Sequence, residues 1–177
     1  MKTLCVFCGS SLGFKAKHRQ LAENLGKQLA RRNIKLVYGG GKIGLMGVLA
    51  NAVLENGGVV TGVIPEFLMK SEVAHSTLTE MIVVKDMHAR KQCMYSLSRG
   101  FVVIPGGIGT LDEAIEIITW KYLQLHKKPV VMLSNDNYWE AFSSLVGQIV
   151  VEGFAPKAIE GLFTTLDDID QALDTIK

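Results

Sequence analysis

The sequence has no long apolar run, no disulfide framework and no strong charge of one sign. No stretch approaches the ~20 consecutive apolar residues that a membrane-spanning helix needs, so we expect a soluble protein without a membrane partner. Three cysteines in 177 residues are an odd number, which indicates no set of disulfides. The net charge of +2 gives no general attraction to nucleic acid, so an anion site must be local.

Metal ligands and targeting signals are also sparse. Cys5 and Cys8 form a CxxC, but residues three apart on a strand point to opposite faces, which favours core packing. The four histidines show no zinc-site spacing, and we predict no metal and no cofactor. The short apolar start runs directly into Gly9-Ser10-Ser11, as a buried first strand would, so we expect a cytoplasmic protein.

Alternating strand-like and helix-like segments indicate the fold class. The length is enough for one compact domain, residues 1–177, and too short for two ordinary ones. Predicted strands cover residues 4–7, 34–37, 59–64, 81–84, 101–104 and 129–133. Predicted helices cover about 15–32, 44–56, 88–98, 110–125, 138–152 and 167–176. The pattern predicts an α/β, Rossmann-like, doubly wound and mainly parallel sheet with helices on both faces.

Three strands are followed at once by glycine or serine: CGSS at residues 8–11, YGGG at 38–41 and PGG at 105–107. Ligands of such sheets bind beyond the carboxyl ends of the strands. The three loops therefore predict a pocket built from backbone amides and suited to a phosphorylated small molecule.

The stretch GGGKIG, residues 39–44, formally matches GxGxxG after a strand and before a helix. It lacks the acidic residue that a dinucleotide site has at the end of the next strand, and it lacks the GK[ST] ending of a P-loop. Two interpretations stay open. The glycines either bind a nucleotide phosphate or only allow a tight turn and close helix packing.

The stretch MHARK, residues 87–91, opens a predicted helix with basic residues. Positive charge in the first helical turn opposes the helix dipole, so an anion should compensate it. The alternative for Arg90 and Lys91 is an ordinary solvated basic face.

The stretch PGGIGTLDE, residues 105–113, also has two interpretations. Thr110 and Glu113 have the spacing of a capping box, whereas the glycines before them suit the approach of a phosphate. The following helix is apolar on more than one side, which predicts a homodimer interface unless both sides are buried within the layers of the domain.

Together, CGSS, GGG with GLMG at residues 44–47, MHARK and PGGIGTLDE resemble the LONELY GUY family of cytokinin riboside 5'-monophosphate phosphoribohydrolases over nearly the whole chain. The resemblance implies Arg90 and Glu113 as the catalytic pair, with Glu113 retaining the cap as a second role. It also implies a substrate-binding set, completed by the first serine and glycine loops: Glu72, Met87, Arg90, Lys91, Gly106, Gly107, Ile108, Gly109, Thr110, Leu111, Asp112, Glu113, Thr119, Ser10, Gly40 and Gly41.

The implied reaction is hydrolysis of the N-glycosidic bond of a nucleoside 5'-monophosphate, with adenine or an N6-prenylated adenine as the base. Members have often been labelled lysine decarboxylases, but nothing in the sequence indicates a lysine set up for pyridoxal phosphate. The main alternatives are a non-catalytic carrier, such as the related molybdenum cofactor carriers, and a nucleotide-sensing module. A carrier would not need the pair of Arg90 and Glu113.

Overall fold

The computed structural model describes residues 2–69 and 73–176. Seven strands form one sheet: β1 Lys2–Phe7, β2 Ile34–Tyr38, β3 Val60–Pro65, β4 Glu80–Val84, β5 Gly100–Val103, β6 Val130–Leu133 and β7 Thr164–Leu166. Six α-helices connect them: α1 Ala16–Arg31, α2 Gly44–Glu55, α3 Met87–Leu97, α4 Ile108–Tyr122, α5 Glu140–Val151 and α6 Ile169–Asp174. Two short 3-10 helices lie at Glu66–Leu68 and Lys157–Leu162.

The strand order is β4-β3-β2-β1-β5-β6-β7, and every pair is parallel. Cys5 of β1 stands opposite Val37 on one side and Phe101 on the other. The chain winds outward from β1 in one direction and returns to begin β5 on the opposite side. The gap between β1 and β5 is therefore the switch point at which such sheets bind ligands.

The helices cover both faces of the sheet, which confirms the predicted doubly wound fold. Residues of α1, α2 and α6 share one buried cluster with alternate strand residues such as Leu4 and Leu36. Residues of α3, α4 and α5 share the other cluster with the strand residues between them, such as Cys5 and Val37. Because helices cover both faces of the sheet, its strands stand out in the sequence as continuous apolar runs, and these runs are the basis of the prediction.

Two details differ from the expectations. Strand β7 lies in a segment where no strand is predicted, because it has three residues, two of them exposed threonines, and no apolar run. Helix α4 begins at Ile108 and ends at Tyr122, rather than covering residues 110–125. Its start is two residues early because Gly109, which suggests a loop in the sequence, lies in the first helical turn.

Cys5 and Cys8 are buried, are not joined to each other by a disulfide, and belong to opposite core clusters, as the strand geometry predicts. Across the two described ranges, no helix is both long and apolar enough to cross a membrane.

Candidate active site

A cavity of about 230 Å³ opens at the carboxyl end of the sheet, beside the switch point. We call it the Arg90–Glu113 cavity. The residues lining it come from the segments that follow β1 and β3, from the first two turns of α2, α3 and α4, and from the N-cap of α4: Cys8, Ser10, Met46, Leu68, Met87, Arg90, Gly107, Ile108, Gly109, Thr110 and Glu113.

Arg90 lies in the second turn of α3, and its side chain is almost completely buried, with 4% exposed. Its Nε donates to the carbonyl oxygen of Val63 at 3.1 Å, and its Nη2 donates to that of Gly39 at 2.8 Å. These carbonyls lie at the ends of β3 and β2 and hold the guanidinium in one orientation. A buried cation in this position rules out the solvated basic face for Arg90.

The start of α3 has the compensating anion that its basic first turns require. Asp86 is the N-cap residue, and its carboxylate accepts from the amide of Ala89 at 2.8 Å. This hydrogen bond is the main cause of a lowered pKa of Asp86. The carboxylate therefore stabilises the positive end of the helix dipole, which is why Arg90 can be placed so near the helix start.

Lys91 has a different environment from Arg90. Its Nζ lies 3.1 Å from Asp112 and 3.0 Å from Glu116, both on α4. Burial tends to lower the pKa of Lys91, but the bonds to Glu116 and Asp112 outweigh it and raise the pKa. In this structure Lys91 ties α3 to α4 and lies outside the lining of the cavity.

Glu113 lies one turn into α4, and its side chain is 9% exposed. The capping box predicted for Thr110 and Glu113 is wrong, because α4 begins at Ile108 and Gly107 occupies the N-cap position. Burial and then the charge of Glu113 raise the pKa of the Cys5 thiol well above its usual value, whereas the charge of Arg90 lowers it. The charges of Glu113 and Arg90 therefore both reach the Cys5 thiol, and the two side chains line the same cavity.

The first turn of α4 presents open backbone to the cavity. Within residues 2–69 and 73–176, no carbonyl or side chain accepts from the amides of Gly107, Ile108, Gly109 or Thr110. A Cβ added to Gly107 or Gly109 would meet no described atom within 4 Å. Free amides at the positive end of a helix form a site for an anion such as a phosphate.

The first turn of α2 is arranged differently, although glycines also precede it. The amides of Leu45 and Met46 both donate to the carbonyl oxygen of Gly9, at 3.0 and 3.3 Å. Gly40 and Gly41 are buried and lie outside the lining of the Arg90–Glu113 cavity. Their predicted role in substrate binding stays a prediction.

The structure brings together eight of the predicted site residues around this cavity: Ser10, Met87, Arg90, Gly107, Ile108, Gly109, Thr110 and Glu113. Five others lie away from its lining: Lys91, Leu111, Asp112, Gly106 and Thr119. Glu72 lies outside the described residues.

Three lining residues, Cys8, Met46 and Leu68, are absent from the predicted set. Cys8 is the first residue of the CGSS stretch that the sequence singles out. Met46 and Leu68 are ordinary apolar residues whose place at the cavity depends on the fold.

The fold and the site define the class of the protein: it is a Rossmann-like α/β protein with a small cavity, in whose wall a buried arginine, a buried carboxylate and the open first amides of a helix meet. The family model described as "Possible lysine decarboxylase" matches residues 46–176. A cytokinin riboside 5'-monophosphate phosphoribohydrolase of Rhodococcoides fascians is 45% identical in an alignment of 177 positions that covers 99% of this chain and 89% of that protein. The enzyme LOG1 of Arabidopsis thaliana, with the same activity in its name, is 48% identical over 86% of this chain and 72% of that protein.

Solved structures agree on the fold. The molybdenum cofactor binding protein of Rippkaea orientalis superposes with a TM-score of 0.73 at 19% identity, over 99% of this chain and 96% of that one. The molybdenum cofactor carrier protein of Chlamydomonas reinhardtii gives 0.71 at 23% identity, over 99% and 95%. At these identities the likeness concerns the fold alone, whereas the sequence relatives decide the family. The chain belongs to the LONELY GUY family of cytokinin riboside 5'-monophosphate phosphoribohydrolases, to which the "Possible lysine decarboxylase" model also corresponds.

Proposed function

We propose that the protein hydrolyses the N-glycosidic bond of adenosine 5'-monophosphate or its N6-prenylated form, releasing the free base and ribose 5-phosphate. The observation that carries this proposal is the shared cavity of Arg90, Glu113 and the open first turn of α4. Relatives at 43–48% identity are named cytokinin riboside 5'-monophosphate phosphoribohydrolases, which supports the cleavage of a nucleoside monophosphate. We also propose that residues 1–177 act as one cytoplasmic nucleotide-binding domain, with neither a nucleic-acid nor a membrane partner.

Glu113 performs the chemical role in this proposal. Cleavage of the bond between ribose and base builds positive oxocarbenium character on the sugar. A carboxylate beside the ring stabilises that charge, and it can orient or deprotonate the water that adds to the anomeric carbon. The burial of Glu113 strengthens both effects, because water screens its charge less.

Arg90 and α4 hold the substrate. Because two of its N–H groups are bonded to Val63 and Gly39, the guanidinium has little freedom to reorient. We assign it to the ribose hydroxyls or the phosphate and to the orientation of Glu113. The amides of Gly107 to Thr110 bind the phosphate, which would account for a preference for nucleotides over nucleosides.

We further propose a homodimer that uses the outer side of α4. Ile108, Ile115 and Tyr122 expose 82%, 49% and 44% of their surface, although the same helix buries Ile117 and Ile118 on its inner side. Light scattering should give twice the chain mass for the wild type and a shift toward the monomer for Ile115→Glu, because a charge is costly in an apolar interface. A wild type that is monomeric at micromolar concentration would refute the dimer.

The test of function compares the wild type with Glu113→Gln, which keeps the size of the side chain and removes its charge. Each protein is incubated with AMP and with isopentenyladenosine monophosphate, and the base and ribose 5-phosphate are separated by chromatography. We expect the wild type to release base and Glu113→Gln to lose at least about 100-fold in kcat. Thermal unfolding provides the control for folding.

Other outcomes would change the assignment. If the wild type bound nucleotide without turning it over, a carrier or sensor would replace the hydrolase. Activity of Glu113→Gln equal to that of the wild type would remove Glu113 from the catalytic pair.

A further inference from the structure

Tyr138 lies outside the Arg90–Glu113 cavity but is bonded to the loop that forms its wall. Its hydroxyl donates to the carbonyl oxygen of Gly106 at 2.6 Å. We infer that Tyr138 is a positioning residue, which orients the peptide between Gly106 and Gly107 for binding the substrate phosphate. This inference rests on the proposed function.

The planar peptide group between Gly106 and Gly107 links the direction of the Gly106 carbonyl to that of the Gly107 amide. In a trans peptide the C=O and the following N–H point in opposite directions, and the described chain contains no cis peptide. Gly106 and Tyr138 line a second cavity, of about 420 Å³, which Gly107 borders as well. Since Tyr138 holds the Gly106 carbonyl on that side, the N–H of Gly107 is directed to the other side, toward the Arg90–Glu113 cavity.

Without Tyr138 this peptide would have a second orientation available. It lies between two glycines, which can adopt the dihedral angles of a flipped peptide at little cost. A flipped peptide would direct the Gly106 carbonyl oxygen toward the phosphate and turn the Gly107 amide away. The anion would then meet a negative dipole instead of a hydrogen-bond donor.

The loop is held from three points, and Tyr138 is the one nearest the phosphate-binding amides. The amide of Gly9 donates to the Pro105 carbonyl at 3.1 Å, and the indole of Trp139 donates to the Val103 carbonyl at 3.1 Å. Trp139 is buried and packs edge-to-face against the Tyr138 ring at 4.8 Å. The ring of Tyr138 therefore packs against a side chain that is itself buried and hydrogen-bonded.

The segment that carries Tyr138 is also tied to the start of α1. The side chain of Asp136 is 2% exposed and lies 3.0 Å from the ammonium groups of both Lys15 and Lys17. Burial works against ionisation of Asp136, but the bonds to the two lysines outweigh it and lower its pKa. These ion pairs fix the base of the segment, so the hydroxyl of Tyr138 meets Gly106 in a defined place.

Tyr138→Phe removes the hydroxyl and keeps the packing of the ring. We expect the KM for AMP to rise about fivefold and kcat to change less than about twofold, as expected for the loss of one hydrogen bond that acts on binding. The inhibition constant of inorganic phosphate should rise by the same factor. The melting temperature should be close to that of the wild type.

Tyr95→Phe is the matched control, because it removes a hydroxyl that makes no hydrogen bond to any described residue. It should leave KM and phosphate inhibition unchanged. An unchanged KM and phosphate inhibition constant in Tyr138→Phe would overturn the inference, whether or not its stability falls. If the wild type binds AMP without hydrolysing it, the same comparison uses the dissociation constant. A wild type that neither binds nor hydrolyses AMP or isopentenyladenosine monophosphate refutes the proposed function and this inference with it.

Discussion

Two glycine loops precede helices at the same edge of the sheet, and the structure uses them in opposite ways. In the first glycine loop, residues 39–44, the missing side chains make room for the protein itself: a Cβ on Gly39 would collide with the Arg90 guanidinium, and one on Gly44 with the backbone of Ser10. In the second glycine loop, residues 105–110, a Cβ on Gly107 or Gly109 would meet no described atom within 4 Å. Gly39 and Gly44 serve close packing, as does Gly106, where a Cβ would collide with Thr110, whereas Gly107 and Gly109 leave open space beside the cavity.

The amides at the two helix starts follow the same division. Those of Leu45 and Met46 in α2 donate to Gly9, whereas those of Gly107 to Thr110 at the start of α4 have no acceptor among the described residues. Gly9 in turn donates to Pro105 in the second loop. The start of α2 thus supports the second loop through Gly9, and of the two helix starts it is that of α4 whose first amides stay open among the described residues.

The largest expected effect on stability comes from a substitution in the first glycine loop. Gly44 has φ +62° and faces the Ser10 and Ser11 backbone, which cannot rotate away as a side chain can. Gly44→Ala should lower the free energy of unfolding by about 3 kcal/mol, combining overpacking with a strained backbone. Thermal and urea unfolding measure it.

Gly57→Ala is the matched control for that variant. Gly57 has φ +76°, but an added Cβ would have no described atom within 4 Å, so only the backbone strain remains. A loss of about 1–2 kcal/mol is expected for this strain alone. Equal losses in the two variants would mean that the Ser10 backbone moves aside and that Gly44 is not needed for packing.

The sequence predicts the sheet well because its signal is local. Buried parallel strands are continuous apolar runs, and six of the seven strands are found from them. The seventh, Thr164–Leu166, has no such run. The start of α4 is missed because glycine in a first helical turn looks like loop, and this error also produced the false capping box.

The site is less predictable because its environment is made by distant segments. The guanidinium of Arg90 is held by hydrogen bonds to the carbonyl oxygens of Val63 and Gly39, which lie 27 and 51 residues away in the chain. No local pattern separates Arg90 from its neighbour Lys91, which pairs with α4 instead. The same holds for the two glycine loops, whose different uses depend on what the fold places against each Cα.

A substitution in the second glycine loop should change stability less than Gly44→Ala does, but it should weaken substrate binding specifically. Gly109 lies in the first turn of α4, so Gly109→Ala should leave stability unchanged or raise it by up to about 1 kcal/mol, because alanine favours the helix. The added methyl would occupy the cavity wall that Gly109 lines, and we expect AMP to bind about three- to tenfold more weakly. Calorimetry on a Glu113→Gln background measures binding without turnover.

Gly161→Ala is the control for this variant, since a Cβ there also meets no described atom within 4 Å and Gly161 lies away from the cavity. It should bind AMP as the parent protein does. If Gly109→Ala also bound AMP normally, the open space of the second loop would not be the phosphate site. The contrast between the two loops would then concern packing only, and the phosphate would have to be sought at Ser10 and the loop after β1.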